Sequence, residues 1–92
     1  MRLSIQSFQN NDVVPSYQVL LAHKKNDFKT VVDWTGNKDI SFDIPKGKRY
    51  RVLLRARHKE NASGYAWMAW EVDSKGKIRK VNDVPESFYK LN

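Results

Sequence analysis

The side chains best suited to bind a ligand lie on two neighbouring segments in the second half of the chain. In residues 49–58 arginines recur at alternate positions, and residues 65–72 begin with two aromatic rings at alternate positions. Successive side chains of a β-strand point to opposite faces, so each set occupies one face of its strand. Arginine pairs with carboxylates and phosphates, and aromatic rings offer stacking faces. The predicted binding residues are Arg49, Arg51, Arg55, Arg57, Tyr65 and Trp67.

Three kinds of partner suit such a cationic and aromatic face, and a fourth interpretation needs no partner. Arginine, tyrosine and tryptophan dominate protein-binding hot spots. An acidic polysaccharide would present carboxylates to the arginines, and a nucleic acid would present phosphates and bases. Alternatively, Arg55 or Arg57 stacks on Trp67 in an internal ladder that only stiffens the sheet. We expect a non-catalytic module that binds a protein or an acidic polysaccharide, with a small nucleic-acid-binding β protein as the alternative.

The residue types that support catalysis or metal binding are sparse. The chain has two histidines, His23 and His58, and no cysteine. The histidines fall on different predicted strands with no carboxylate at ligand spacing, which argues against structural zinc. The sequence also lacks a nucleophile elbow, a phosphate loop and a glycine-rich fingerprint. We therefore predict no catalytic residues, no metal and no cofactor.

The positive charge is concentrated in one half of the chain. Residues 1–45 carry five basic and five acidic groups, so the whole net charge of +7 comes from residues 46–92. This asymmetry favours an anionic partner, although basic strand edges also protect a sheet from unwanted pairing. No apolar run reaches the ~20 residues that a membrane span needs, and residues 1–12 do not resemble a signal peptide. The chain is either cytoplasmic or a module of a larger secreted protein, and its oligomeric state stays open.

Period-2 alternation and frequent turn signals predict an all-β fold. We predict one domain over residues 1–82 and a tail over 83–92. The expected core includes Tyr50, Val52, Leu54, Trp70 and Val72, with Arg49, Arg51 and Arg55 exposed. The predicted strands are Met1–Phe8, Ser16–Lys24, Asp27–Trp34, Asp39–Ile44, 49–58, Tyr65–Val72 and Ile78–Val81.

Residues 44–57, IPKGKRYRVLLRAR, resemble the sixth strand of a fibronectin type III module. The resemblance implies an immunoglobulin-like or fibronectin type III-like antiparallel β-sandwich of about seven strands. It also implies that Tyr50 is a corner tyrosine, whose hydroxyl bonds to backbone near Ile44–Gly47. Trp67 and Trp70 have the spacing of the Trp-Ser-x-Trp-Ser box of cytokine-receptor modules, but the serines of that box are replaced here.

The layout of residues 16–72 is similar to that of the triple-tyrosine modules of bacterial sensor and surface proteins. The segment DWTGNKDISFDIPKGKRYRV corresponds to their central strands, with Trp34 where a tyrosine is usual. Such modules are typically non-catalytic spacers or interaction domains. The resemblance therefore implies the same class of function as the arginine and aromatic pattern.

Overall fold

The computed structural model describes residues 2–6, 16–24, 27–36, 39–45, 47–57 and 65–90. In this part the chain forms seven strands and one short 3₁₀ helix, Glu86–Phe88. The all-β prediction is confirmed. No helix among these residues is long and apolar enough to cross a membrane. The strands are β1 (Arg2–Gln6), β2 (Ser16–Ala22), β3 (Lys29–Thr35), β4 (Asp39–Asp43), β5 (Tyr50–Arg57), β6 (Ala66–Val72) and β7 (Ile78–Val81).

The strands form two antiparallel sheets of unequal size. β1 pairs with β4 in a two-stranded sheet, and the other sheet has the order β3-β2-β5-β6-β7. β2 and β5 are therefore interior strands, and β7 lies at an edge of the described sheet. Lys77, Arg79 and Lys80 lie on or beside this edge strand and are exposed. Such charges discourage pairing with another chain.

The first hydrophobic cluster lies between the two sheets. β5 contributes Tyr50, Val52 and Leu54, which are at most 8% exposed, and β4 contributes Ile40 and Phe42 to the same cluster. The alternation of apolar residues therefore identified the buried face of both strands correctly. Val72 is also buried, as expected, whereas Trp70 is only partly buried.

A second hydrophobic cluster covers the outer face of the five-stranded sheet. Residues 82–90, which we call the C-terminal strap, return across this face after β7. Buried residues of the sheet and the strap meet there, and four partly buried aromatic rings pack around them. The buried members are Leu20, Leu53, Ala69, Val81 and Val84, and the aromatic ones are Phe28, Trp67, Phe88 and Tyr89. The outer face is thus a second packed layer, with apolar contacts of its own.

The arginines on and beside β5 are not all as exposed as predicted. Arg49 is exposed, as predicted, and Arg57 is exposed too. Arg51 and Arg55, expected to be exposed, are only partly accessible, because the strap packs over the middle of the face.

The turn between β6 and β7 is closed by one aspartate. The backbone N–H groups of Lys75 and Lys77 both donate to Oδ1 of Asp73, at 2.9 Å. Gly76 adopts the left-handed φ of 89° that the turn requires. The hydrogen bond from Lys77 contributes most to lowering the pKa of Asp73. Because the folded pKa is depressed, this contribution to stability is present above the ordinary aspartate pKa and is lost as pH falls through the folded value.

Candidate functional site

The six predicted binding residues separate into groups along the outer face of β5. Arg55, Arg57 and Tyr65 meet at one end, whereas Arg49 and Arg51 lie at the other. Positions 51 and 55 are about 13 Å apart along the strand, and buried Leu53 lies between them. Trp67 pairs with Arg55 across the β5–β6 ladder and contacts the strap. The predicted continuous surface is therefore two separate charged clusters with an apolar centre.

The first group centres on a tryptophan that the sequence pattern did not select for binding. The guanidinium carbon of Arg57 lies 4.3 Å from the centre of the Trp34 ring. The guanidinium carbon of Arg55 lies 4.7 Å from the Tyr65 ring and 5.9 Å from Trp34. The two aromatic rings are 5.3 Å apart, centre to centre. We call these four residues, Trp34, Arg55, Arg57 and Tyr65, the cation–aromatic cluster.

Irregular pairing between β2 and β3 brings Trp34 to this face. The register shifts on either side of Val19, which pairs with Val32 on the core side. Thr30 pairs with Leu20 of the outer cluster instead, and Trp34 contacts the outer arginines. Strict alternation would put all even-numbered residues of β3 on one face, but the pairing of β3 with β2 is not regular. The two register shifts turn Val32 inward and leave its even-numbered neighbours outside.

Arg55 is held by contacts within the protein. Its Nε donates to Oε1 of Gln18 at 3.1 Å, Nη2 donates to the same oxygen, and Nη1 donates to the carbonyl oxygen of Phe88 at 2.7 Å. Burial lowers the pKa of Arg55, and the nearby Tyr65 raises it. The guanidinium is charged at neutral pH, because arginine begins from a very high pKa. Arg55 therefore ties β2 and the strap to the sheet.

Arg57 is the exposed cation of the cluster. Its Nε donates to the hydroxyl of Ser16 at 3.0 Å, while the guanidinium lies over Trp34. These two contacts fix the orientation of the side chain but leave it accessible to solvent. A cation held in this way loses little conformational entropy when it binds an anion.

Trp67 stacks on a ring of the strap and not on an arginine. The Trp67 and Tyr89 rings are 4.7 Å apart and nearly parallel, at 18°. The backbone N–H of Tyr65 donates to the carbonyl oxygen of Tyr89 at 2.7 Å, which anchors the strap beside the stack. The arginine stacking considered as an alternative was on Trp67, whereas Arg57 stacks on Trp34 and Arg55 on Tyr65. One face of Trp67 is occupied by Tyr89.

Three arginines surround one carboxylate at the other end of the face. Glu71 lies 3.3 Å from Arg79, 3.7 Å from Arg51 and 3.9 Å from Arg49. Arg51 also bonds to Asp83 of the strap at 2.7 Å. The side chains of Glu71 and Arg51 are only 17% and 15% exposed. The largely buried carboxylate of Glu71 thus balances the positive charge of Arg51, which the strap covers.

Replacing Glu71 with glutamine is expected to lower the free energy of unfolding by about 1–3 kcal/mol, since it leaves Arg51 half-buried with one carboxylate fewer. Chemical denaturation followed by circular dichroism measures the change. The matched control is Glu86→Gln, because Glu86 forms an exposed pair with Lys90 and such pairs contribute about 0–1 kcal/mol. Equal effects of the two substitutions would contradict a structural role for the Glu71 cluster.

A small basic pocket adjoins this cluster. Its cavity of about 210 Å³ is lined by His23, Lys24, Arg49, Tyr50, Arg51 and Glu71. Nδ1 of His23 lies 3.2 Å from the carbonyl oxygen of Arg49 and donates to it, and the imidazole and Tyr50 rings are 5.1 Å apart. The hydroxyl bond expected of a corner tyrosine stays a prediction. His58, the other histidine considered, lies outside the described residues.

Comparison with known proteins gives no match from which a function of these side chains could be inferred. The chain matches no protein-family model, no curated protein and no solved structure. Among the described residues, no three His, Asp or Glu side chains come close enough together to hold a metal ion. Functional inference therefore depends on the contacts and exposure of the two charged clusters.

Proposed function

We propose that this protein is a non-catalytic binding module with an immunoglobulin-like, fibronectin type III-like sandwich fold. The strand pairing supports that fold. The immunoglobulin plan places strands B and E in one sheet, and strands C, F and G, with C′ in variable-type domains, in the other. Here β1 and β4 take the B and E positions, and β3, β2, β5 and β6 take the C′, C, F and G positions. β7 extends the second sheet beyond G.

The binding site in this proposal is the exposed part of the cation–aromatic cluster, and its partner carries carboxylates. The observation that supports it is Arg57, which is exposed yet held by Trp34 and Ser16. Arginine pairs with carboxylates through two parallel hydrogen bonds. An acidic protein segment or an acidic polysaccharide supplies that group, and the net charge of +7 attracts either one.

The same geometry favours a carboxylate partner over a nucleic acid. Strong phosphate binding requires several accessible cations in a row. On this face Arg55 is bonded to Gln18 and Phe88, and Arg51 is bonded to Asp83. The two exposed arginines, Arg49 directly before β5 and Arg57 at its end, are about 26 Å apart if the chain is extended throughout. The row of four accessible cations expected from the sequence is thus reduced to its two ends.

The proposal predicts that replacing Arg57 with alanine weakens the binding of polyglutamate or of a polyuronate about tenfold. The variant loses one charge-assisted hydrogen-bonding contact with the carboxylates of the polymer. Binding is measured by NMR titration, with the indole N–H of Trp34 as the reporter. The matched control is Arg49→Ala, an equally charged and exposed position at the far end of β5, which should leave the affinity unchanged.

Three outcomes would contradict the proposal. Equal losses in both variants would mean that only net charge is sensed. No saturable shift at Trp34 with either polymer would exclude the carboxylate site. Saturable binding of a single-stranded oligonucleotide alone, with affinity falling steeply between low and moderate salt, would establish the nucleic-acid alternative.

A further inference from the structure

The two-stranded sheet leaves part of the five-stranded sheet uncovered. A cavity of about 210 Å³ opens beside β1, and its lining is mostly apolar. It extends from β5 through β6 to the edge strand β7. The lining residues are Leu3, Ser4, Ile5, Val52, Trp70 and Ile78.

Two apolar side chains around this cavity, Ile78 and Trp70, are accessible to solvent although they lie on the core-facing side of the sheet. Ile78 is 49% exposed, and among the described residues the other large exposed hydrophobic residue is Val31 on β3. Trp70 points to the same side as buried Val72 but is only partly buried. Partly exposed tryptophan and aliphatic side chains around a cavity are typical of a binding surface.

Within the part of the chain that the structure describes, β1 pairs with β4 along one edge and with no strand along the other. An edge strand presents backbone N–H and C=O groups that an extended peptide can pair with. A third strand here would place alternate side chains over the cavity.

The strand that already pairs with β1 indicates which sequence suits the open edge. In β4, Ile40 and Phe42 point inward opposite Ile5 and Leu3. Asp43 points outward, where it lies 3.4 Å from Arg2. A strand of alternating apolar and acidic residues therefore matches β1 in both packing and charge.

The rim of the cavity has the same charge preference. Lys80 pairs with Trp70 across the β6–β7 ladder, so it lies on the same face of the sheet. Lys80 is exposed, and the cavity lining contains no acidic residue. The uncovered face thus has an apolar floor and one basic residue, Lys80, on the same side of the sheet.

We propose that the open edge of β1 and this cavity bind an extended segment of a partner protein in which apolar and acidic residues alternate. The segment adds a third strand to the β1–β4 sheet, with its apolar side chains on Trp70 and Ile78 and its carboxylates on the outward face of that sheet, the face of Arg2. Strand β4 of a second copy is not available for this pairing, because its Ile40 and Phe42 are buried in the core. This surface is separate from the cation–aromatic cluster.

The test uses a blocked synthetic peptide of sequence DISFDI and the full protein labelled with ¹⁵N and ¹³C. We expect saturable NMR shifts at the β1 amides, the Trp70 indole and the Ile78 methyl groups, with a Kd no weaker than about 1 mM. The β1 amides should also exchange more slowly with solvent. A peptide of sequence KISFKI should bind more weakly, because its lysines lie on the same outward face as Arg2 and are repelled by it.

Paired variants locate the site. Ile78→Asp should weaken DISFDI binding about tenfold. The matched control Val31→Asp, on the opposite edge of the same sheet, should leave binding unchanged. Arg2→Glu should reverse the preference between the two peptides, because Arg2 lies on the outward face of β1. The spectrum of each variant shows directly whether it is folded.

The proposal is overturned if no saturable shift occurs at millimolar peptide, or if the shifts fall on Trp34 and Tyr65 and spare β1. Equal affinity of the Ile78→Asp and wild-type proteins would have the same consequence. Analytical ultracentrifugation provides a further outcome. Self-association that Ile78→Asp abolishes would identify a second copy as the occupant, contrary to the proposal.

Discussion

Ending the chain after Asn82 is expected to lower the free energy of unfolding by about 3–6 kcal/mol. The truncation removes Val84, which is 5% exposed, together with Phe88 and Tyr89 of the second cluster. Burying a large apolar side chain contributes about 1.5–3 kcal/mol when burial is complete, and the two rings are only partly buried. Because small domains are stable by about 5–15 kcal/mol in total, the shortened chain should be close to unfolding. Urea denaturation followed by circular dichroism measures the loss.

A matched pair of substitutions separates the packing of the strap from the loss of chain length. Val84→Asp should destabilise strongly, since it buries a carboxylate in an apolar cluster, whereas Ser87→Asp at an exposed position of the strap should not. A fully stable chain of residues 1–82 would instead support the division into a domain and a separate tail that the sequence suggests.

Period-2 patterning predicted the strands well where both faces of a strand obey it without interruption. β4 is the clearest case, because Ile40 and Phe42 are buried while Asp39, Ser41 and Asp43 are exposed. A strand whose apolar residues alternate can bury them in only one way, so pattern and burial agree. β7 begins and ends where the pattern predicted.

Period-2 patterning fails to predict burial in two places. One is the irregular pairing of β2 with β3, and the other is the outer face of the large sheet, which is covered by a segment without periodicity. Trp34 could not be placed from the sequence, since the register shifts around Val19 depend on how β2 and β3 pair. Residues 82–90 have no strand or helix period, and their burial depends on tertiary contacts alone. The sequence feature that pointed to the second cluster is Leu53, because an apolar residue there interrupts the outward-facing arginines.

Charge patterning located the cations correctly but could not give their partners. Arg55 bonds to Gln18, which is 37 positions earlier in the chain, and Arg51 bonds to Asp83, 32 positions later. Which residues pair at such separations depends on the order and direction of the strands, so no local sequence pattern indicates the pairs. Consequently, four arginines of the same parity divide into two that are held internally and two that stay exposed.

Leu53→Ala and Leu54→Ala are expected to destabilise the protein by similar amounts, about 2–5 kcal/mol each. Both side chains are fully buried, but they point to opposite faces of β5. Leu54 packs between the sheets, whereas Leu53 packs beneath the strap. Urea denaturation measures both losses, and Val31→Ala, at an exposed position on β3, should change stability by less than about 0.5 kcal/mol. A small effect of Leu53→Ala beside a large effect of Leu54→Ala would mean that the outer face contributes little to folding. The outer face would then be accessible along its length, as the exposure predicted for Arg49, Arg51 and Arg55 requires.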